Sequence, residues 1–175
     1  MFVRLLDLEI SRHDWQGMQC GCDRSAAHVP EDLLSALRGR LPDRVGEGWA
    51  DNHVYIQSNL MPPALATASV IAAALADREV PLEWRPHLLA VLNHIVCGEQ
   101  DDVADRCKDV VRGCVELLFE EITADRSRMA AAYAFELLME FPELKERLRF
   151  YQTEMRANLP DDLHPERLDL DEYQP

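Results

Sequence analysis

The sequence predicts an all-α chain built from helical hairpins, and three observations carry that prediction. Ala and Leu dominate a composition that is 47% hydrophobic with only seven glycines. β-Branched residues are sparse outside isolated pairs, a balance that favours helix over strand. Apolar residues also step by threes and fours. Val103, Cys107, Val110, Cys114, Leu118 and Ile122 form one such stripe, and Leu88, Leu92, Ile95 and Val96 another, so each helix has one face to bury. Finally, the stretch from Pro62 to Phe141 is similar to itself. A shift of 43 residues lays Ile71 on Cys114, Leu75 on Leu118, Arg85 on Arg128, Leu89 on Ala132 and Leu92 on Phe135.

Taken in order, Met1 to Ile10 alternates weakly and suits a short strand or an extended lead-in. Between Ser11 and Val29, Trp15, Met18 and Cys20 supply buried-looking residues, interrupted at Gly21. Pro30, followed by Glu31 and Asp32, marks a helix start, and this helix is expected to end near Arg40. Pro42, Gly46 and Gly48 make 41–48 a loop. Trp49 to Leu60 is expected to be a further helix, which Pro62 and Pro63 stop or redirect. In the first repeat Pro81 breaks the chain, Pro86 falls in the first turn of the next helix, and Gly98 ends it. In the second, Asp101 or Asp102 caps one long helix and Asp125 or Ser127 caps its partner. Pro142 restarts the chain into a last helix whose opposite charges sit at helical spacing.

Beyond Asn158 come three prolines, six acids and few apolar residues, too little to offset the entropy of ordering them. The expected organisation is therefore a single helical-repeat domain over 1–157 and an acidic, flexible tail over 158–175. The repeat spacing falls within the roughly 40–47 residues of HEAT or armadillo units, which predicts a short right-handed α-α superhelix.

Charge narrows the function. Thirty-two acidic against 18 basic residues give a net charge of −14, a field that repels polyphosphate and attracts cationic surfaces. Nucleic acid is thereby disfavoured; the plain reading of such acidity is solubility, and a protein partner, if charge selects it, is expected to be basic. The N-terminus lacks a basic segment followed by an apolar run, and no sustained apolar stretch reaches the roughly 18–20 residues of a membrane span: the uncharged run 52–76 is broken by Gln57, Ser58, Asn59 and the Pro62–Pro63 pair. Five cysteines, an odd number scattered through apolar positions, are not a disulfide framework. The expected setting is a reducing cytoplasm, away from membranes.

Residues able to carry chemistry are few. Cys20 and Cys22, with His13 and His28 nearby, have the ligand types that zinc prefers. Zinc sites, however, usually use a C-x₂₋₄-C pair with a second pair at fixed distance, so C-x-C alone is read as reduced, partly buried thiols, with no metal and no cofactor. No G-x-S-x-G, H-E-x-x-H or phosphate-cradling glycine loop occurs. His87 and His94 are expected to be surface or capping residues, and Glu116, Glu120 and Glu121 a solvated face. A catalytic role is not expected.

The segments WQGMQCGCDRSAAHVPEDLLSAL, WADNHVYIQSNLMPPALATASVIAAALAD and WRPHLLAVLNHIV resemble the successive helices of HEAT-repeat-like proteins common in actinobacteria, some of them among polymorphic-toxin immunity proteins. The resemblance covers about Trp15 to Phe150, with Ile56, Gln57 and Ser58 where such proteins often carry a His-Gln-Gly turn. It implies an α-solenoid that binds protein, here an immunity-like inhibitor of a basic toxin, and it supplies no catalytic residue. An enzyme or nucleic-acid repair module on the same solenoid is the alternative, and a scaffold subunit a third. In a stacked solenoid the second helix of each hairpin lines the concave face, so Asn93, His94, Tyr133, Glu136 and Glu140 are the expected partner-binding residues.

Overall fold

Eight α-helices, five short 3-10 helices and one two-stranded sheet make up the regular structure of the described residues, 4–173, in the computed structural model. The chain divides into two compact units, Met1–Val111 and Arg112–Pro175. This partition differs from the single domain over 1–157 expected from sequence. The helix expected to run through Val103 to Ile122 is two helices, α5 (Asp101–Arg112) and α6 (Val115–Thr123). Gly113 and Cys114 separate them, glycine being a poor helix former by about 1 kcal/mol, and the unit boundary falls at the end of α5.

The first unit begins with α1 (Leu5–Ser11), where sequence suggested a strand or extended lead-in; the first three residues of that stretch lie outside the described residues. Helix α2 spans His28–Ala36, starting two residues before Pro30 and ending short of Arg40. The core is α3 (Ala64–Ala76), buried almost all round, with Ala68, Val70, Ile71 and Ala74 at or near zero exposure. A helix apolar on every face belongs inside, and α3 packs against α1 and against α4 (Arg85–Val96). Pro86 sits in the first turn of α4, as expected.

Trp49 to Leu60 is not a helix, which corrects the sequence expectation. Asn52 and Gln57 adopt left-handed backbone, φ 64° and 56°, and a right-handed helix cannot pass through such positions. The segment instead turns and forms a hairpin of β1 (Tyr55–Ile56) and β2 (Asn59–Leu60), paired Tyr55 with Leu60 and Ile56 with Asn59. Residues after α4 hold it: Glu99 N–H donates to Ser58 O at 2.9 Å and Leu60 N–H to Gln100 Oε1 at 2.5 Å.

His87, expected at the surface, is buried in α4. Its Nε2 accepts hydrogen bonds from Gly46 N–H and from the Trp49 indole N–H, both at 3.2 Å. Gly46 makes the underlying turn at φ 72°, a conformation glycine adopts without steric cost. Burial pushes the His87 imidazole down to about 4, so it is a neutral acceptor at pH 7.

In the second unit α6 packs on α7 (Arg128–Met139), and α8 (Lys145–Glu154) packs on α7. Ser127 is the N-cap of α7, its hydroxyl accepting from Ala130 N–H. Glu121, expected on a solvated face, is buried on α6 and paired with Arg126 at 3.3 Å. The segment from 158 to 173 is packed against these helices; the last two residues of the expected tail lie outside the described residues. Leu159, Leu163 and Leu170 are buried. Buried Gln152 donates to Leu163 O at 2.9 Å and Leu168 O at 3.0 Å, and Arg128 donates to Leu159 O at 3.2 Å. Side chains of the helices thus satisfy the backbone of a segment that has little regular structure of its own.

Candidate metal centre

A tight loop from Met18 to Ala26 places both N-terminal thiols. Ala26 N–H donates to Met18 O at 2.9 Å, Cys20 N–H to Arg24 O at 2.8 Å and Asp23 N–H to Cys20 O at 3.1 Å. The reversal needs a left-handed residue, and Asp23 supplies it at φ 63°, a conformation Asp tolerates better than most side chains. Gly21 then lets this loop lie against the 52–53 backbone. Its N–H donates to His53 O at 3.0 Å, and a Cβ there would stand 2.8 Å from Asn52 O. No side chain fits in that gap. His28, the first residue of α2, approaches from the other side.

The result is a cluster of Cys20, Cys22, His28 and His53 in which one ligand atom from each lies within 4.8 Å of all the others. Cys20 Sγ is 3.3 Å from His53 Nδ1 and Cys22 Sγ is 3.4 Å from His28 Nε2. In a tetrahedral zinc site with Zn–S about 2.3 Å and Zn–N about 2.05 Å, a sulfur and a nitrogen ligand stand about 3.6 Å apart. These two separations are within a few tenths of an ångström of that edge, and the remaining pairs lie within 4.8 Å, so the four donors would have to draw together to reach bonding distance. The imidazole rings of His28 and His53 meet edge to face at 4.8 Å.

The surroundings suit a cation. His28 Nδ1 is 2.7 Å from Asp32 Oδ2, one helical turn along α2. A carboxylate there fixes the Nδ1–H tautomer and leaves Nε2 as the ligand nitrogen, the arrangement that orients histidines at metal sites. Arg24 donates from Nε to Cys22 Sγ at 3.4 Å. That hydrogen bond holds the Cys22 thiol well below the usual thiol range, at about 5, so it is a thiolate at neutral pH. Burial pushes the Cys20 thiol up, and a cation is what would draw its proton away.

His13, grouped with these cysteines in sequence, is elsewhere: its Nε2 lies 2.8 Å from Ser69 Oγ and 3.3 Å from Glu9 Oε1. Ser, His and Glu together invite comparison with a nucleophilic triad. Both contacts fall on the same ring nitrogen, however, whereas a triad needs the acid on one nitrogen and the nucleophile on the other. The ligand that sequence reasoning missed is His53, 33 residues from Cys20. Because it arrives through the Gly21–Asn52 approach, no local spacing announces it.

The expected partner-binding residues are distributed over both units. Asn93 is half-buried and His94 exposed on α4, with the His94 ring stacked on Tyr55 at 5.1 Å. On α7 Tyr133 and Glu140 are half-buried and Glu136 is exposed. Glu140 accepts from the Tyr173 hydroxyl at 2.6 Å, and partial desolvation, reinforced by Asp162, raises the Glu136 carboxyl. Among the described residues no helix is long and apolar enough to cross a membrane. No protein-family model, curated protein or solved structure matches this chain.

Proposed function

We propose that this chain is a zinc-stapled helical module that acts by binding another protein. The observation that carries the metal reading is the convergence of two sulfur and two imidazole donors within 4.8 Å from three separated stretches of chain. An S₂N₂ set selects zinc over the harder divalent ions, and four protein ligands leave no open position for substrate, so the role is structural. The test is metal content after purification in a zinc-containing medium without chelator. The wild type is expected to carry zinc near one per chain, and Cys20→Ser and His53→Ala to carry almost none. Wild type free of metal, or variants that retain it, would refute the reading.

The excess of acid supports a cationic protein as the partner, such as a basic toxin held by an immunity-like inhibitor. On that reading the second helices of the hairpins, α4 and α7, present the contact residues of a HEAT-like array. Association with such a partner is expected to slow steeply as salt rises, and Glu136→Lys to slow it further at low salt. An association rate indifferent to both changes would count against an electrostatically selected partner.

A further inference from the structure

The first unit contains an open cavity of about 420 Å³, within the roughly 300–1,000 Å³ of small-ligand sites. Met18, Met61, Leu65 and Val103 give it apolar walls, and His13 and Arg106 are the two residues at its edge that can carry positive charge. They differ in availability. His13 Nε2 is engaged by Ser69 and Glu9, whereas exposed Arg106 makes no hydrogen bond or ion pair among the described residues. Val103 and Arg106, three residues apart on α5, share a face. Arg106 therefore lines an apolar cavity while none of its donors is used within the described residues.

We infer that this cavity binds a small monocarboxylate with a linear aliphatic body. A guanidinium presents a planar fork that matches a carboxylate in two-point contact, and an amine in the same place would meet like charge. The apolar walls, built from methionine, leucine and valine, suit an aliphatic body, and methionine adapts its shape to what it contacts. The overall charge of −14 opposes anions at long range, but that field is screened beyond about 8 Å in physiological salt, so the contact pair decides.

Calorimetric titration of the intact protein with octanoate, octylamine and octanol tests this. Octanoate is expected to bind, octanol more weakly and octylamine not at all. Arg106→Gln, an exposed change that should leave the far-ultraviolet dichroism unaltered, is expected to weaken octanoate by about tenfold or more while leaving octanol unaffected. Leu65→Trp, which fills the cavity, should abolish both. No octanoate binding in the millimolar range, equal binding of octylamine, or an Arg106→Gln variant with unchanged octanoate affinity would overturn the proposal. Zinc content, measured on the same samples, is independent of each of these outcomes.

Discussion

Acid should weaken the first unit through His87, and the size of the effect follows from its environment. Buried Nε2 accepts from Gly46 N–H and Trp49 Nε1–H, and protonation would replace that acceptor with a donor facing two donors. The folded-state imidazole titrates at about 4 against about 6.5 in an unfolded chain. Because the folded value is depressed, the unfolded state binds the proton first. Stability attributable to this group is complete above pH 6.5 and declines as pH falls towards 4. Linkage puts the loss at about 2 kcal/mol by pH 5 and about 3 kcal/mol by pH 4.

Glutamine at this position can keep an acceptor near Nε2 without titrating, so His87→Gln should lose about 2 kcal/mol less than wild type between pH 7 and pH 5. Urea unfolding followed by tryptophan fluorescence is the assay. Trp15, Trp49 and Trp84 all lie in the first unit, and the Trp84 ring meets His87 edge to face at 4.9 Å. Both proteins carry the same Cys/His cluster, so acid release of metal cancels in the difference. Equal losses in the two proteins would refute the reasoning.

Three further outcomes are expected. Asp32→Asn should weaken zinc affinity by about 10–100-fold in a competitive chelator titration, because the carboxylate that orients His28 is lost; an unchanged affinity would make the contact incidental. Gly21→Ala should lower metal occupancy although it alters no ligand, since its Cβ would press on the Asn52 carbonyl; full occupancy would show that the loop can shift freely. Gln152→Ala should destabilise the second unit by about 1–3 kcal/mol, as the buried Leu163 carbonyl and the part-buried Leu168 carbonyl lose their donor, and should speed proteolysis between 158 and 173. A cleavage rate equal to wild type would contradict that.

Two helices were legible in the sequence: α4 lies where its apolar spacing put it and α7 where the 43-residue repeat put it, and of the two candidate caps, Asp125 and Ser127, it is Ser127 that caps α7. The region from 49 to 60 was not, because Trp49, Val54, Tyr55 and Ile56 supply apolar matter at spacings a helix also tolerates. What decides against a helix is the left-handed backbone at Asn52 and Gln57; asparagine adopts it readily, but glutamine is an ordinary helix residue. The packed segment after 158 was hidden for another reason: its few apolar residues, Leu159, Leu163 and Leu170, are joined by hydrogen bonds from Gln152 and Arg128, which lie outside it. Of the metal cluster, Cys20, Cys22 and His28 were visible and His53 was not, since a ligand delivered by tertiary approach leaves no local pattern.

The 33 residues from Cys20 to His53 have a meaning for the denatured chain as well. A metal held at both ends ties that stretch into a ring, and by the chain-entropy treatment of cross-links a ring of this size restricts the unfolded ensemble by about 4 kcal/mol. Inside the ring lie α2 and the turn whose Gly46 and Trp49 rest on His87. Nascent chains that capture zinc would therefore search fewer conformations before that turn docks, and chains that do not would pay the same entropy during the docking step itself.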